Sequence, residues 1–449
     1  MTASAKAATG LAETRVSAAL ARIEAHDGRV GAFTDVTRDR ALAAARAVDG
    51  GRVAGPLAGV TFAVKNLFDI EGLATRAGSK INRERAPAAH DATLVTRMEA
   101  AGAALLGGLN MGEYAYDFTG ENVHDGPSRN PHDLGHMTGG SSGGSGAAVA
   151  AGFVDVALAS DTNGSIRVPS ALCGCFGLKP TYGRLTRAGT FPFVQSLDHL
   201  GPIARSTELL AASYDAMQGP DAADPATSTR APEPSAPKLD GGFADLRIAT
   251  LGGYFAERGE PDCFEAVARV ANFLGVERVV ELPEAARARA AAYVITATEG
   301  AALHLDRLRT RASDFDPAVR DRMIAGATVP APYVAKAQRF RRWFADAAAR
   351  LFDEVDILLA PATPCRAPKL GQATLTLGGE TLPLRPNVGI YTQPISFIGL
   401  PVVCAPVFLD EGLPLGVQII ARPWAEAEAL RVARALEAAG VAAFREASL

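Results

Sequence analysis

The segment Met137–Pro180 reads MTGGSSGGSGAAVAAGFVDVALASDTNGSIRVPSALCGCFGLKP. Two clusters rich in glycine and polar residues, Gly139–Ser145 and Asp161–Arg167, lie on either side of an apolar run that predicts a short helix and then a buried strand. A helix followed by a strand returns the chain to near its starting point, so both clusters can face one site. Glycine permits positive φ and close backbone approach, and successive free N–H groups can bind one oxygen. We therefore expect an oxyanion-binding site here.

Three other interpretations fit part of this segment. Glycine–serine strings are common in linkers, but a flexible linker would not lead directly into apolar runs. A phosphate-binding loop would need GxxxxGK[ST] or a GxGxxG that opens a helix, and neither string is found here. The string Gly139–Gly143 fits the GxSxG nucleophile elbow of α/β-hydrolases, with His199 or His304 as base. That interpretation leaves the DTNGSIR string and Lys65 unexplained.

Three strings, GGSSGGS, DTNGSIRVPS and CGCFGLKPTYGR, resemble the amidase signature family. Members of this family hydrolyse amides with a Ser–Ser–Lys triad and without a metal or other cofactor. Carried over residue by residue, the resemblance implies that Ser165 is the nucleophile, Ser141 the bridging serine and Lys65 the base. It also implies a cis peptide bond between Gly140 and Ser141.

The resemblance further implies an oxyanion hole made by backbone N–H groups of the nucleophile loop, namely those of Thr162, Asn163, Gly164 and Ser165. One residue departs from the family pattern, because the family commonly has Gly-Gly where this chain has Asn163-Gly164. Asparagine tolerates a left-handed φ, so the loop can keep its shape. The side chain of Asn163 adds a donor and an acceptor near the cavity, which favours a small polar substrate.

Lys65 follows an alternation of apolar and small residues, Val60–Val64, that predicts a buried strand. The strand places the lysine at its C-terminal end. Only the neutral amine can accept a proton, so the mechanism requires that burial lower the pKa of Lys65 from its usual value of about 10.4.

Three further residues are predicted to contact the substrate: Tyr116, Gly139 and Arg322. Related amidases line their cavity with the segment around Tyr116, and related amidotransferase subunits hold a substrate carboxylate with an arginine near the position of Arg322. The strings YAYDFTGENVHDGPSRNPHD and SDTNGSIRVPS are similar to those of the biuret-type hydrolases of the cyanuric acid pathway, which cut 1-carboxybiuret. The implied function is hydrolysis of a small anionic amide with release of ammonia.

Two alternatives remain open at this point. The first is a glutamine-dependent amidotransferase A-type subunit, in which an acidic residue near the position of Gly389 holds the glutamine ammonium. Glycine cannot do this. The second is a non-catalytic assembly subunit on an amidase fold, against which the joint presence of Lys65, Ser141 and Ser165 argues.

The resemblance implies an α/β fold, with a mixed sheet of about eleven strands covered by helices on both faces. Periodicity adds amphipathic helices at Thr14–His26 and Arg38–Val48, and a helix capped by Asp91. We expect a single domain over 1–449, made of N-terminal helices at 1–50, a signature core at 51–218, a proline-rich linker at 219–241 and a second half at 242–449.

Composition limits the partners and the compartment. The 449 residues, 48% of them hydrophobic, include 45 basic and 49 acidic residues, a balance that indicates neither a nucleic-acid nor a membrane partner. No apolar run reaches the roughly 20 residues of a membrane span, and MTASAKAATGLAETR lacks the apolar core of a secretory signal. Five cysteines without a CxxC pair predict reduced thiols in a cytoplasmic protein and no metal site. The resemblance implies an oligomer with a small helical accessory subunit of the amidotransferase C type; a homodimer without a helper is the alternative.

Overall fold

The computed structural model describes residues 10–409 and 412–449. Its strands are β1 (Phe33–Val36), β2 (Thr61–Lys65), β3 (Ala104–Leu109), β4 (Arg129–Asn130), β5 (Asp133–Met137), β6 (Val156–Asp161), β7 (Phe176–Lys179), β8 (His199–Ala204), β9 (Ile248–Leu251), β10 (Val279–Val280), β11 (Ile357–Pro361), β12 (Thr374–Leu377), β13 (Glu380–Pro383), β14 (Val402–Val407) and β15 (Leu415–Ala421). Its helices are α1 (Leu11–Val30), α2 (Arg38–Asp49), α3 (Thr93–Ala100), α4 (Gly143–Ala150), α5 (Arg167–Cys173), α6 (Thr207–Met217), α7 (Pro261–Leu274), α8 (Ala285–Arg311), α9 (Pro317–Ala327), α10 (Ala331–Phe352), α11 (Leu384–Asn387), α12 (Gln393–Phe397) and α13 (Glu426–Ala438).

Eleven of the strands form one mixed sheet in the order β1-β3-β2-β6-β8-β7-β14-β15-β11-β9-β10. Strands β3, β2 and β6 are parallel to one another, as are β11, β9 and β10, while the pairs between these two groups are antiparallel. The predicted α/β class and the strand number of about eleven are thus confirmed.

Helices cover both faces of this sheet because successive strand residues point to opposite sides. Phe62 and Val64 of β2 join a large core cluster with residues of α3, α6, α7 and α13, whereas Ala63 between them joins a second cluster with α1, α2 and α4. The apolar stripe predicted for the first helix is confirmed, since Val16 and Leu20 are buried in the second cluster.

The register of two neighbouring strands brings Lys65 to the same edge of the sheet as the second glycine-rich cluster. Strands β2 and β6 are parallel and adjacent, with Phe62 beside Val156 and Val64 beside Leu158. Both strands therefore end at the same edge of the sheet, where β2 finishes at Lys65 and β6 leads into the loop that carries Ser165. Helix α4 and strand β6 form the predicted helix and strand between the clusters.

The linker at 219–241 has little regular structure, as its proline content predicts, but it is tied to the core. Arg187 pairs with Asp224 at 2.9 Å, and Asp215 accepts hydrogen bonds from Ser235. The sheet also continues from the first half of the chain into the second, because β14 pairs with β7. The division of the domain into segments stays a prediction.

The expected cap at Asp91 is wrong. Helix α3 begins at Thr93, and the carboxylate of Asp91 accepts instead from the Arg40 guanidinium and from the backbone N–H of Glu71. The carboxylate of Asp91 therefore forms a long-range ion pair with Arg40 instead of capping the helix.

Other expectations concern cysteines and helix hydropathy. All five cysteines are buried and free. No helix among the described residues is long and apolar enough to cross a bilayer. The start of the N-terminal segment, residues 1–9, lies outside the described residues, so its predicted lack of a signal is not addressed.

Candidate active site

Lys65 is completely buried at the end of β2 and lies among three serine hydroxyls. Its Nζ is 2.7 Å from Ser141 Oγ, 3.0 Å from Ser142 Oγ and 2.9 Å from Ser160 Oγ. The predicted contact between the lysine and the bridging serine is therefore formed. The peptide bond between Gly140 and Ser141 is cis, as the resemblance implies.

The environment of Lys65 favours the neutral amine. Burial lowers its pKa to about 7, although Asp198, Asp161 and Asp117 each favour the charged form. Ser142 donates its own proton to the carbonyl of Ser160 at 3.2 Å, so its oxygen is available to accept from Lys65. A neutral amine that donates to Ser142 and Ser160 keeps its lone pair for the hydroxyl of Ser141.

The loop between β6 and α5 carries Ser165 and is anchored by a buried ion pair. Asp161 and Arg167 meet through two contacts of 3.0 Å, and Ser396 donates to Asp161 at 2.9 Å. Burial disfavours the carboxylate, but the Arg167 guanidinium outweighs this and holds the pKa of Asp161 well below its usual range. This rigid anchor fixes both ends of the loop that is expected to bind the oxyanion.

The backbone of the loop leaves four N–H groups unused. Within the described residues, the backbone N–H groups of Thr162, Asn163, Gly164 and Ser165 have no hydrogen-bond acceptor. The left-handed φ considered for Asn163 is not adopted; the positive φ of 145° falls on Gly164 instead. A Cβ at Gly164 would lie 2.1 Å from Thr392 Oγ1, so only glycine fits there.

Ser165 lines a narrow cavity. Tyr116, Arg322 and Asn163 line the same cavity. A hydrogen bond between Ser165 and Ser141 is not formed within the described part of the chain, so the relay to the nucleophile stays a prediction.

The predicted substrate arginine reaches this cavity from α9. The guanidinium of Arg322 stacks over the ring of Tyr116 at 3.9 Å, and it donates to the carbonyls of Ala318 (2.8 Å) and Tyr116. Within the described residues no carboxylate pairs with Arg322, and the hydroxyl of Tyr116 is buried without a partner. Burial raises the pKa of Tyr116, so its hydroxyl keeps its proton.

Two glycines have packing roles at the edges of the site. Gly139 has a φ of 75° and packs against Val168 and Leu172, and it does not belong to the described lining of the cavity. Its contact with a substrate stays a prediction. At Gly389 a Cβ would lie 2.5 Å from the ring of Phe118, so the position has no room for the acidic side chain that a glutamine site needs.

Comparisons with known proteins match nearly the whole chain, and they agree on an amidase. The family model "Amidase" matches residues 14–430. The 1-carboxybiuret hydrolase protein AtzE of Pseudomonas sp. (strain ADP) is 55% identical over 445 residues, covering 96% of this chain and 97% of the relative.

The chain belongs to the amidase family.

More distant relatives of this amidase include the A-type subunit of the glutamyl-tRNA(Gln) amidotransferase from Geobacter metallireducens, which is 37% identical over 456 residues, 94% of this chain and 92% of the relative. Among solved structures, one described as a "vestigial protein complex" that "reveals the evolutionary origins of an s-triazine catabolic enzyme" has a TM-score of 0.96 and 55% identity, covering 97% of this chain and 96% of that one. The corresponding amidotransferase protein of Thermotoga maritima has a TM-score of 0.82 and 30% identity, covering 98% and 95%. This amidase is therefore an amide hydrolase, and the non-catalytic alternative is rejected.

The histidines of the elbow interpretation do not contact the amidase site serines. His199 Nδ1 lies 3.0 Å from the carbonyl of Asp161, and burial lowers the pKa of His199 well below its usual value. His304 packs on the ring of Tyr114 at 4.0 Å, and burial lowers its pKa to about 3. Among the described residues, the basic side chain within hydrogen-bond distance of the serines is that of Lys65, so the geometry does not support a nucleophile elbow.

Several polar groups of the amidase site were missed by sequence reasoning. These are Ser142 and Ser160, which both contact Lys65. Ser142 directly follows Ser141, and Ser160 directly follows the strand predicted at Val154–Ala159, and both positions were usable signals. Thr296 of α8 lines the cavity as well, and no pattern in the sequence indicates it.

Proposed function

We propose that this amidase hydrolyses a small carboxylated amide of the urea type, with 1-carboxybiuret as the first candidate. The observation that carries the proposal is the guanidinium of Arg322, which shares a cavity with Ser165 and has no carboxylate partner among the described residues. The carboxylate of Asp117, which also lines this cavity, is already paired with Arg385 at 2.5 Å. An anionic substrate thus meets an uncompensated cation.

In the proposed mechanism Ser165 attacks the scissile carbonyl as Ser141 takes its proton and passes its own to the neutral amine of Lys65. The oxyanion accepts hydrogen bonds from the free N–H groups of the loop, Thr162 to Ser165. The proton returns through Ser141 to the leaving nitrogen, and ammonia departs. Water then repeats the path to release the acid.

The relatives support this choice of substrate. The 55% identical relative is named as part of a 1-carboxybiuret hydrolase, whereas the named amidotransferase relatives are more distant, at 36–39% identity. The close approach of Phe118 to Gly389 argues against glutamine, because no carboxylate can be placed there to hold its ammonium.

Ammonia release measured over a panel of amides tests the proposal. We expect the highest kcat/KM on 1-carboxybiuret, lower values on biuret, allophanate and malonamate, and the lowest on glutamine. Ser165→Ala, purified and folded, is the blank for contaminating amidases. A preference for glutamine, or no turnover of any carboxylated amide, would refute it.

We also propose that the chain works in an assembly with a small helical accessory subunit. A solved structure with 55% identity is described as a protein complex, and this amidase exposes apolar residues such as Leu11 and Val36 in its N-terminal region. Co-expression with a neighbouring small reading frame, followed by size-exclusion chromatography with light scattering, tests this. A fully active species containing only this chain would reject the helper in favour of a homo-oligomer or a monomer.

A further inference from the structure

Asn163 and Thr296 form a polar pair inside the catalytic cavity. The amide Nδ2 of Asn163 donates to Thr296 Oγ1 at 2.9 Å, across 133 positions of sequence. Both residues line the cavity of Ser165, and both are nearly inaccessible, with 7% of Asn163 and 1% of Thr296 exposed. The pair therefore joins the nucleophile loop to α8 at a place where a substrate would lie.

The pair has hydrogen-bonding capacity left over. Asn163 Oδ1 is buried and has no partner among the described residues. Thr296 Oγ1 accepts from Asn163 and still carries its own proton, which no protein group in the described part of the chain accepts. By contrast Thr298, on the same helix, gives its proton to the carbonyl of Val294 at 2.8 Å.

A buried acceptor without a partner is costly, and in binding sites such groups are completed by ligand. The free acceptor and the free donor of this pair lie on hydrogen-bonded neighbours. An amide or urea unit presents the complementary pattern, an N–H donor beside a C=O acceptor. One carbamoyl unit can therefore satisfy both groups at once.

We propose that Asn163 and Thr296 bind a second carbamoyl unit of the substrate, next to the one that Ser165 attacks. The N–H of that unit donates to Asn163 Oδ1, and its C=O accepts from the Thr296 hydroxyl. This inference rests on the proposed function, since a biuret-type substrate carries two carbamoyl units and a carboxylate. Arg322 takes the carboxylate, so the pair selects ureido substrates over simple amides.

The location of Asn163 fits this role. Its backbone N–H belongs to the loop that is expected to bind the oxyanion, and its side chain lines the same cavity. The scissile carbonyl and the second carbamoyl unit would thus contact one residue through its main chain and its side chain. This matches a substrate whose two carbonyl groups are separated by a single nitrogen.

Thr296→Val tests the proposal, because valine keeps the shape of threonine and removes the hydroxyl. The two substrates are 1-carboxybiuret and malonamate, which share a carboxylate and a scissile amide but differ in the second carbamoyl unit. We expect kcat/KM for 1-carboxybiuret to fall about tenfold more than kcat/KM for malonamate. Thr296→Ser, which keeps the hydroxyl, should restore the ratio to within about threefold of the parent.

Thr298→Val is the matched control, since it removes a hydroxyl from the same helix outside the described cavity lining. It should leave the ratio of the two kcat/KM values unaltered. Calorimetry on Ser165→Ala, with and without the added Thr296→Val, measures the Kd of both compounds. The ratio of the two Kd values then tests the same preference without turnover.

The outcomes separate the two proposals. Turnover of 1-carboxybiuret with equal losses on both substrates in Thr296→Val would overturn this inference and leave the proposed function intact, because the pair would then be only a structural tie. Turnover of malonamate with neither turnover nor binding of 1-carboxybiuret would overturn both. A selective loss, rescued by serine, supports the assignment.

Discussion

The two sides of the candidate active site differ in how their polar atoms are satisfied. On one side Lys65 is within 3.0 Å of three serine hydroxyls, and one of these, Ser142, has a further backbone acceptor. On the other side the hydroxyl of Tyr116 and Oδ1 of Asn163 are buried without partners in the described structure. We call these the lysine side and the substrate side.

This contrast suggests that the lysine side carries out the proton transfer and the substrate side recognises the substrate. The lysine side is preorganised, because its hydrogen bonds form without a ligand and hold the amine in a setting that favours its neutral form. The substrate side keeps free donors and acceptors at a cost that a matching ligand removes. Damage to the lysine side should therefore affect every substrate alike, and damage to the substrate side should change the order of preference.

The largest effect is expected at the nucleophile. Ser165→Ala should lower kcat by at least about 10⁴-fold on all substrates, because the proposed acyl-enzyme forms on the Ser165 hydroxyl. Ammonia release and labelling by a fluorophosphonate probe measure the loss, and thermal unfolding confirms the fold. Activity within tenfold of the parent would show that the nucleophile has been misassigned.

Lys65→Met should lower kcat by about 10³-fold, again on all substrates. In the parent enzyme the rate should rise with pH and level off above a midpoint near 7, because the ammonium form below that pH cannot accept a proton. The variant should lose this dependence. An unchanged pH profile in Lys65→Met would place the base elsewhere.

The pH dependence of the free energy of unfolding tests the lowered pKa of Lys65 independently of activity. The unfolded chain holds the Lys65 proton up to its usual pKa of about 10.4, whereas the folded chain releases it at about 7. Between these values the unfolded state binds more protons, so the parent should gain about 1.4 kcal/mol of stability per pH unit relative to Lys65→Met. Denaturant unfolding at pH 7.5 and 9 measures the difference.

Arg322→Ala tests the substrate side and should act selectively. Loss of a charge-assisted hydrogen bond costs about 1.5–3 kcal/mol, so kcat/KM should fall about 10–100-fold more on malonamate than on its neutral analogue malonamide. Arg320→Ala on the same helix is the control, because Arg320 pairs at the surface with Asp321. Equal losses on both substrates would mean that Arg322 only supports Tyr116.

The smallest effect is expected at Ser142. Ser142→Ala removes one acceptor from Lys65, which should lower kcat about tenfold and move the midpoint of the pH profile downward, since acceptors favour the ammonium form. Substrate preference should not change. Ser145→Ala is the control, because the Ser145 hydroxyl is also buried but has no partner in the described structure. An upward shift of the midpoint would contradict the proposed hydrogen-bond directions.

On the lysine side, sequence patterns predicted the local pieces, while the contact of Lys65 with Ser141, 76 positions apart, was implied by the resemblance. A period-two strand placed Lys65 at a strand end, and the spacing between the two glycine-rich clusters allowed one helix and one strand. The pairing of Asp161 with Arg167, six residues apart, is also short-range. The hydroxyl of Ser160 was overlooked although it directly precedes the nucleophile loop.

What the sequence alone determined is the α/β class, the strand that ends at Lys65 and the glycine-rich loops, because strand period and glycine content depend on neighbours along the chain. The grouping of Lys65 with Ser141 and Ser165 was implied by the resemblance.

The resemblance also named Tyr116 and Arg322, but only the tertiary structure decided how the substrate side is arranged. It placed Arg322 on Tyr116 across 206 positions and Asn163 on Thr296 across 133. These contacts depend on how α8 and α9 pack over the end of the sheet. No local sequence pattern predicts that packing. Burial of apolar side chains decides which helix faces pack together, but it does not decide which polar atoms, distant in sequence, find a hydrogen-bond partner.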